Sequence, residues 1–185
     1  MRVSDLNKGD HLKLEGKIFE VVEIKHSHLG RGSANLTLIL RNVQTNQRIE
    51  KTFKPDEQID YLEVEKERLV YSHRDNQNFY FKRDSQLISL PTKFFENLSR
   101  FLKPNLEVLG YFSEDGELLW VELPKIVEYL VIETGPDFKG STVQSSYKPA
   151  KIETGLEIKV PFFIKNGDVI KVNTETGEYV ERVQK

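Results

Sequence analysis

Arg31 stands between two glycines in the run His28-Leu29-Gly30-Arg31-Gly32-Ser33. Glycine takes up positive φ at little steric cost, so flanking glycines make a tight, bare turn with the guanidinium as its most projecting group. That group is always charged and carries five N–H donors in a planar fork, which suits phosphate oxygens and base edges. The surroundings match this chemistry. Between Lys25 and Lys54 the basic residues are Lys25, Arg31, Arg41, Arg48, Lys51 and Lys54, and Glu50 is the one acid. His26 and His28 share the window. The whole chain has a net charge of −2, so a basic patch projects from a mildly acidic body. Such a local field docks on phosphates without making the entire surface adhesive. On charge alone, a solvated strand face that happens to be basic explains the window equally well.

Other chemistries find less support. His26-x-His28 puts two imidazoles on one strand face, half of a metal site with no third ligand nearby. There is no phosphate loop, nucleophile elbow or His-Glu-x-x-His pattern. Ser145, Ser146 and the scattered histidines show no spacing that pairs a nucleophile with a base. An enzyme is therefore not expected. The absence of cysteine excludes disulfides and thiolate metal sites. No run approaches the roughly 20 apolar residues of a membrane span, and the first residues lack the apolar core of a signal peptide. The expected location is the cytoplasm.

Strands must position the arginine. Short alternating or β-branched runs recur: KIFEVVEI, LTLIL, RIEKTF, RLVYS, FYFKRD, LEVLGYF, ELLWVEL, KIVEYLVIE, LEIKVPFFI, DVIKV and EYVERV. Turns such as Glu114-Asp115-Gly116 and Asn166-Gly167-Asp168 separate some of them. Many short strands at near-regular spacing predict small barrels over a βαβ sheet. One helix is expected around Thr92 to Leu102, where Phe94, Phe95, Leu98, Phe101 and Leu102 form a single apolar face that plugs a barrel end. Joints are expected at residues 54–60 and at Leu123-Pro124-Lys125. Of the consecutive Phe79, Tyr80 and Phe81, at least one belongs to a core because neighbours in a strand alternate faces. Trp120 and Tyr129 are read as core or domain-interface residues.

The first segment resembles the SH3-like, KOW-type domain of the elongation factor P family. Its tip is similar to that family's Pro-Gly-Lys-Gly, with Leu29 for the proline and Arg31 for the lysine. Arg48-Ile49-Glu50-Lys51-Thr52-Phe53 resembles the family's Glu-Lys-Thr-Phe strand. The more specific likeness is the stretch from Lys148 to Val183, which resembles the family's C-terminal signature. Its matched points are Lys148-Pro149-Ala150, Glu153-Thr154-Gly155, Val160-Pro161, Gly167-Asp168, Thr176-Gly177, Tyr179 and Arg182.

The resemblance implies an all-β chain of three small β-barrels in an L-shaped, tRNA-like arrangement. These are an SH3-like domain at 1–62, a central OB-fold at 63–125 and a C-terminal OB-fold at 126–185. It implies a monomeric translation factor, without cofactor or membrane contact, that binds the 70S ribosome between the P and E sites. There it positions P-site peptidyl-tRNA and relieves stalls at consecutive prolines. Arg31 is the implied tip near the peptidyl-transferase centre, supported by Gly30, Gly32 and Ser33. Lys25, His26, His28, Arg41, Arg48, Lys51 and Lys54 are the implied contacts to tRNA and rRNA. Gly140, Ser141 and Thr142 occupy the place of the loop that meets the E-site mRNA codon. In some branches of the family the tip arginine is rhamnosylated and followed by Asn, where this chain has Gly32, so the resemblance leaves both a rhamnosylated and a bare Arg31 open. Two alternatives stay open: an elongation-factor-P-like paralogue with another stalling-motif preference, and a generic OB-fold RNA binder.

Overall fold

Along Asn35–Asn42 every second residue, Leu36, Leu38, Leu40 and Asn42, is buried while those between are half-exposed. That period of two marks a strand with one face on a core, and it recurs throughout. The computed structural model describes residues 1–27, 35–94, 99–135 and 147–183. Within them the strands form three antiparallel sheets of five. The first contains β1 (His11–Leu14), β2 (Lys17–Ser27), β3 (Asn35–Asn42), β4 (Arg48–Phe53) and β5 (Asp60–Leu62), in the order β4-β3-β2-β1-β5. The second contains β6 (Glu65–Arg74), β7 (Asn78–Arg83), β8 (Gln86–Pro91), β9 (Glu107–Phe112) and β10 (Leu118–Glu122), in the order β10-β9-β6-β7-β8. The third contains β11 (Ile126–Thr134), β12 (Tyr147–Ile152), β13 (Glu157–Pro161), β14 (Val169–Asn173) and β15 (Tyr179–Arg182), in the order β13-β12-β11-β14-β15.

The chain divides into two compact units, Met1–Glu67 with Gly110–Val121, and Arg68–Leu109 with Glu122–Lys185. In the first unit, Leu12, Val21, Leu38 and Leu40 are fully buried at the centre of the first sheet's core, and Phe19 and Phe53 close it. Glu15 (φ 53) and Gly16 (φ 75) join β1 to β2; positive φ at both central residues is the two-residue hairpin turn that matches strand twist. The β3–β4 turn is tied by buried Asn42, whose Oδ1 accepts the Gln44 and Thr45 N–H groups at 2.9 and 3.0 Å. His11, buried, meets Trp120 and Tyr111 with ring centroids 5.1 and 5.8 Å apart.

In the second unit, Val127, Tyr129 and Val131 of β11 point inward, with Ile152, Val160, Ile170 and Val172 from the flanking strands. Phe101 joins this core, and Tyr129 donates its hydroxyl to the Phe101 carbonyl at 2.6 Å. Lys103 follows, its Nζ donating to the Glu128 carbonyl at 2.7 Å and to Glu153 Oε1 at 3.0 Å. The expected plug is thus present through Phe101. Of the expected helix, the described residues show a 3-10 turn over Thr92–Phe94 and one helical residue, Ser99; 95–98 lie outside the described residues.

The sequence reading did not pick out β1, β5, β8 and β12. β5 is three residues long, and β12 carries Pro149 inside it. The Pro149 carbonyl accepts the Gly135 N–H at 2.9 Å, just past the end of β11. The missing proline donor therefore falls where the ladder to β11 has already run out, which makes the residue tolerable there.

Candidate nucleic-acid interface

Five of the basic candidates, Lys25, His26, Arg41, Arg48 and Lys51, lie on the β2–β3–β4 ladder. β2 pairs with β3 from Phe19↔Asn42 out to Ser27↔Asn35, with a bulge at Val22 between Val21 and Glu23. β4 braces β3 along its length. Residues directly opposite one another in such a ladder share a face. The outer face therefore reads, row by row, Lys25–Thr37–Thr52, Glu23–Ile39–Glu50 and Glu20–Arg41–Arg48. The Thr37 and Thr52 hydroxyls bond each other at 2.9 Å.

This register sorts the basic residues into two kinds. Arg41 is fixed: its Nε and Nη2 donate to Glu20 Oε2, and its Nη1 donates to Asn46 Oδ1 at 2.9 Å. Lys25 lies 3.9 Å from Glu50. Lys51 is opposite Leu38 and therefore on the inner side, 3.7 Å from Glu15, with its ammonium 5.6 Å from the centre of the Phe53 ring. Arg48 is exposed on the outer face with no ion pair among the described residues. Lys54 is exposed just beyond β4, where its backbone N–H donates to Glu57 Oε2 at 3.2 Å. His26, opposite Leu36, lines an open cleft of about 470 Å³ with Leu6, Asn7, Lys8 and Ile24. Lys8 was not among the sequence candidates; only the fold brings it to the same cleft as His26. The carboxylates that restrain Arg41 and Lys51 were missed too, because register, not spacing, puts them there.

His28, Gly30, Arg31, Gly32 and Ser33 lie outside the described residues, as do Gly140, Ser141 and Thr142. Tyr179 and Arg182 are both on β15. Tyr179 packs against the third sheet's core, and burial raises its pKa above the usual tyrosine value. The Arg182 guanidinium sits 5.6 Å above the exposed Phe163 ring and 3.8 Å from Asp168 Oδ2. Among the described residues no three His, Asp or Glu side chains gather as a metal site.

The family model described as Elongation factor P (EF-P) KOW-like domain matches residues 2–59, and that described as Elongation factor P, C-terminal matches residues 127–182. The chain belongs to the elongation factor P family. Elongation factor P from Aquifex aeolicus is 38% identical over 184 residues, spanning 98% of this chain and 95% of its own length. Elongation factor P from Caldicellulosiruptor saccharolyticus is 39% identical over 186 residues, spanning 99% of this chain and 100% of its own. Among solved structures, a translation initiation factor eif-5a family protein from Naegleria fowleri aligns with TM-score 0.49 and 15% identity, over 66% of this chain and 96% of that one. Elongation factor P is a family of translation factors and not a classical enzyme family. Among the described residues, no helix is long and apolar enough to cross a membrane.

Proposed function

We propose that this member of the elongation factor P family works in the cytoplasm as a monomer that docks on the 70S ribosome between the P and E sites. It holds the acceptor end of P-site peptidyl-tRNA and so promotes peptide-bond formation at consecutive prolines. The observation that carries this reading is the stiff β2–β3 ladder, braced by β4, which runs out to Ser27↔Asn35. It supports a hairpin whose tip is Arg31, with Arg48 and Lys54 as the free cations that meet RNA phosphates. Residues 1–62, 63–125 and 126–185 form three barrel domains in this reading, and the last brings Gly140, Ser141 and Thr142 to the E-site codon.

The chemistry asked of the factor is positional. Proline is a stiff, poor nucleophile, so the two reactants meet badly aligned. Holding the acceptor end in a reactive arrangement removes disorder from the step without any proton transfer. Each tenfold gain in rate needs only about 1.4 kcal/mol, which a few phosphate contacts and a well-placed guanidinium can supply. The bare guanidinium of Arg31 is the working group, since Gly32 follows it where rhamnosylated members carry Asn.

Footprinting tests the docking site. On 70S ribosomes with peptidyl-tRNA in the P site, the protein protects the tRNA acceptor stem from hydroxyl-radical cleavage, and filling the E site with deacylated tRNA displaces it. Binding that is indifferent to E-site occupancy contradicts the proposal.

A further inference from the structure

Phe79 and Phe81 are buried, so Tyr80 between them faces outward from β7. Its cross-strand partner is His73 of β6, across a bulge at Ser72. The two rings stack with centroids 4.6 Å apart and planes 12° from parallel. The stack is held from both sides. Tyr80 donates its hydroxyl to Asp75 Oδ2 at 2.7 Å, while Asp75 Oδ1 accepts the Gln77 and Asn78 N–H groups at 2.8 and 2.7 Å. Ser72 Oγ lies 3.0 Å from His73 Nδ1. Those bonds, the Gln77 N–H first, keep the Asp75 carboxyl below its usual pKa, and so it accepts as a carboxylate.

We propose that this outer face of β6–β8 is a second RNA-contacting site, a stacking platform for one unpaired base and its phosphate. His73 is exposed, so the ring presents a face beyond the one against Tyr80. Lys82 lies two residues beyond Tyr80, opposite Val70, and Arg68 shares that side of β6; both cations are exposed and have no ion pair among the described residues. The other outward positions paired along these strands, Val70, Asn78, Leu87, Ser89 and Pro91, carry no charge. Asp75, the carboxylate beside the rings, has both oxygens engaged. Stabilising the hairpin asks only for the cross-strand ring pair. Adding unpaired cations beside the stacked rings fits a nucleotide, because every base offers a π-face and carries one phosphate. The bonds to Asp75 and Ser72 fix the rings before binding, so little ordering is lost on association. This site is separate from the β2–β3 hairpin and does not depend on the ribosomal reading.

The test is a histidine-resolved NMR titration of the intact protein with single-stranded hexa-adenylate at low salt. The His73 ring protons move upfield and saturate, while those of buried His11 stay still. Tyr80→Ala weakens the fitted affinity by about fivefold or more. Lys82→Gln weakens it less and lowers the salt slope by about one. If Tyr80→Ala does not fold, Lys82→Gln, an exposed change, carries the same test. His73 resonances that stay fixed while His26 shifts overturn the proposal by confining RNA to the hairpin. An equal His73 response to a polyglutamate peptide or to duplex RNA overturns it in favour of an acidic-protein or shape-reading contact.

Discussion

Arg41 and Arg48 face each other across β3 and β4, but Arg41 is tied to Glu20 and Asn46 while Arg48 is exposed on the same face. Replacing Arg48 with Gln should therefore weaken ribosome binding, reduce its salt slope by about one and leave the melting temperature unchanged. Arg41→Gln should do the reverse, costing about 1 kcal/mol of stability because Glu20 loses its partner in a half-buried setting; urea midpoints distinguish the two. Tyr129 makes a second residue-scale prediction. Burial first, and the Glu153 charge second, raise its pKa well above the ordinary tyrosine value. A group whose folded pKa is raised contributes its stability fully below the unfolded pKa, about 10 for tyrosine, and loses it as pH climbs through the folded value. Stability should thus fall as pH rises past 10. Tyr129→Phe should flatten that fall while costing about 1–3 kcal/mol at neutral pH, because the Phe101 carbonyl loses its donor. Arg31 was singled out by the glycines beside it and lies outside the described residues. The restraint on Arg41 was not legible in the sequence, since Glu20 reaches it only through strand register.

At the scale of elements, alternation revealed most strands because a two-residue period survives wherever one face is buried, as on β3 and β11. It failed where a strand is too short to show a period, as with β5, or contains a proline, as with β12. The amphipathic stretch near residue 101 was read as a plug, and Phe101 is in the third sheet's core. That Phe79 and Phe81 are buried with Tyr80 between them also follows from alternation; that Tyr80 would stack on His73 required the bulge at Ser72. The β1–β2 turn carries a removable cost, because Glu15 holds φ 53, a region that side chains other than Asn and Asp enter unwillingly. Glu15→Asn should stabilise the fold by about 0.5–1 kcal/mol, read as a higher denaturant midpoint at unchanged slope. The lost contact to Lys51 subtracts little, since that pair is solvent-exposed.

For the molecule as a whole, each compact unit stands on a core of its own, and residues distant in sequence complete it. Phe101 lies outside the five strands of the third sheet yet is 2% exposed within their core. Phe101→Ala should cost about 3–5 kcal/mol and appear as early melting of the second unit. The proposed function makes a different demand on the same scaffold, for both cores must stay folded when Arg31 is replaced. Reconstituted translation of a Pro-Pro-Pro reporter, with recombinant unmodified protein, tests that demand most directly. The account predicts that the protein relieves the stall and that Arg31→Ala abolishes relief at an unchanged melting temperature. No relief by the intact protein, or full relief by the Arg31→Ala variant, would contradict it.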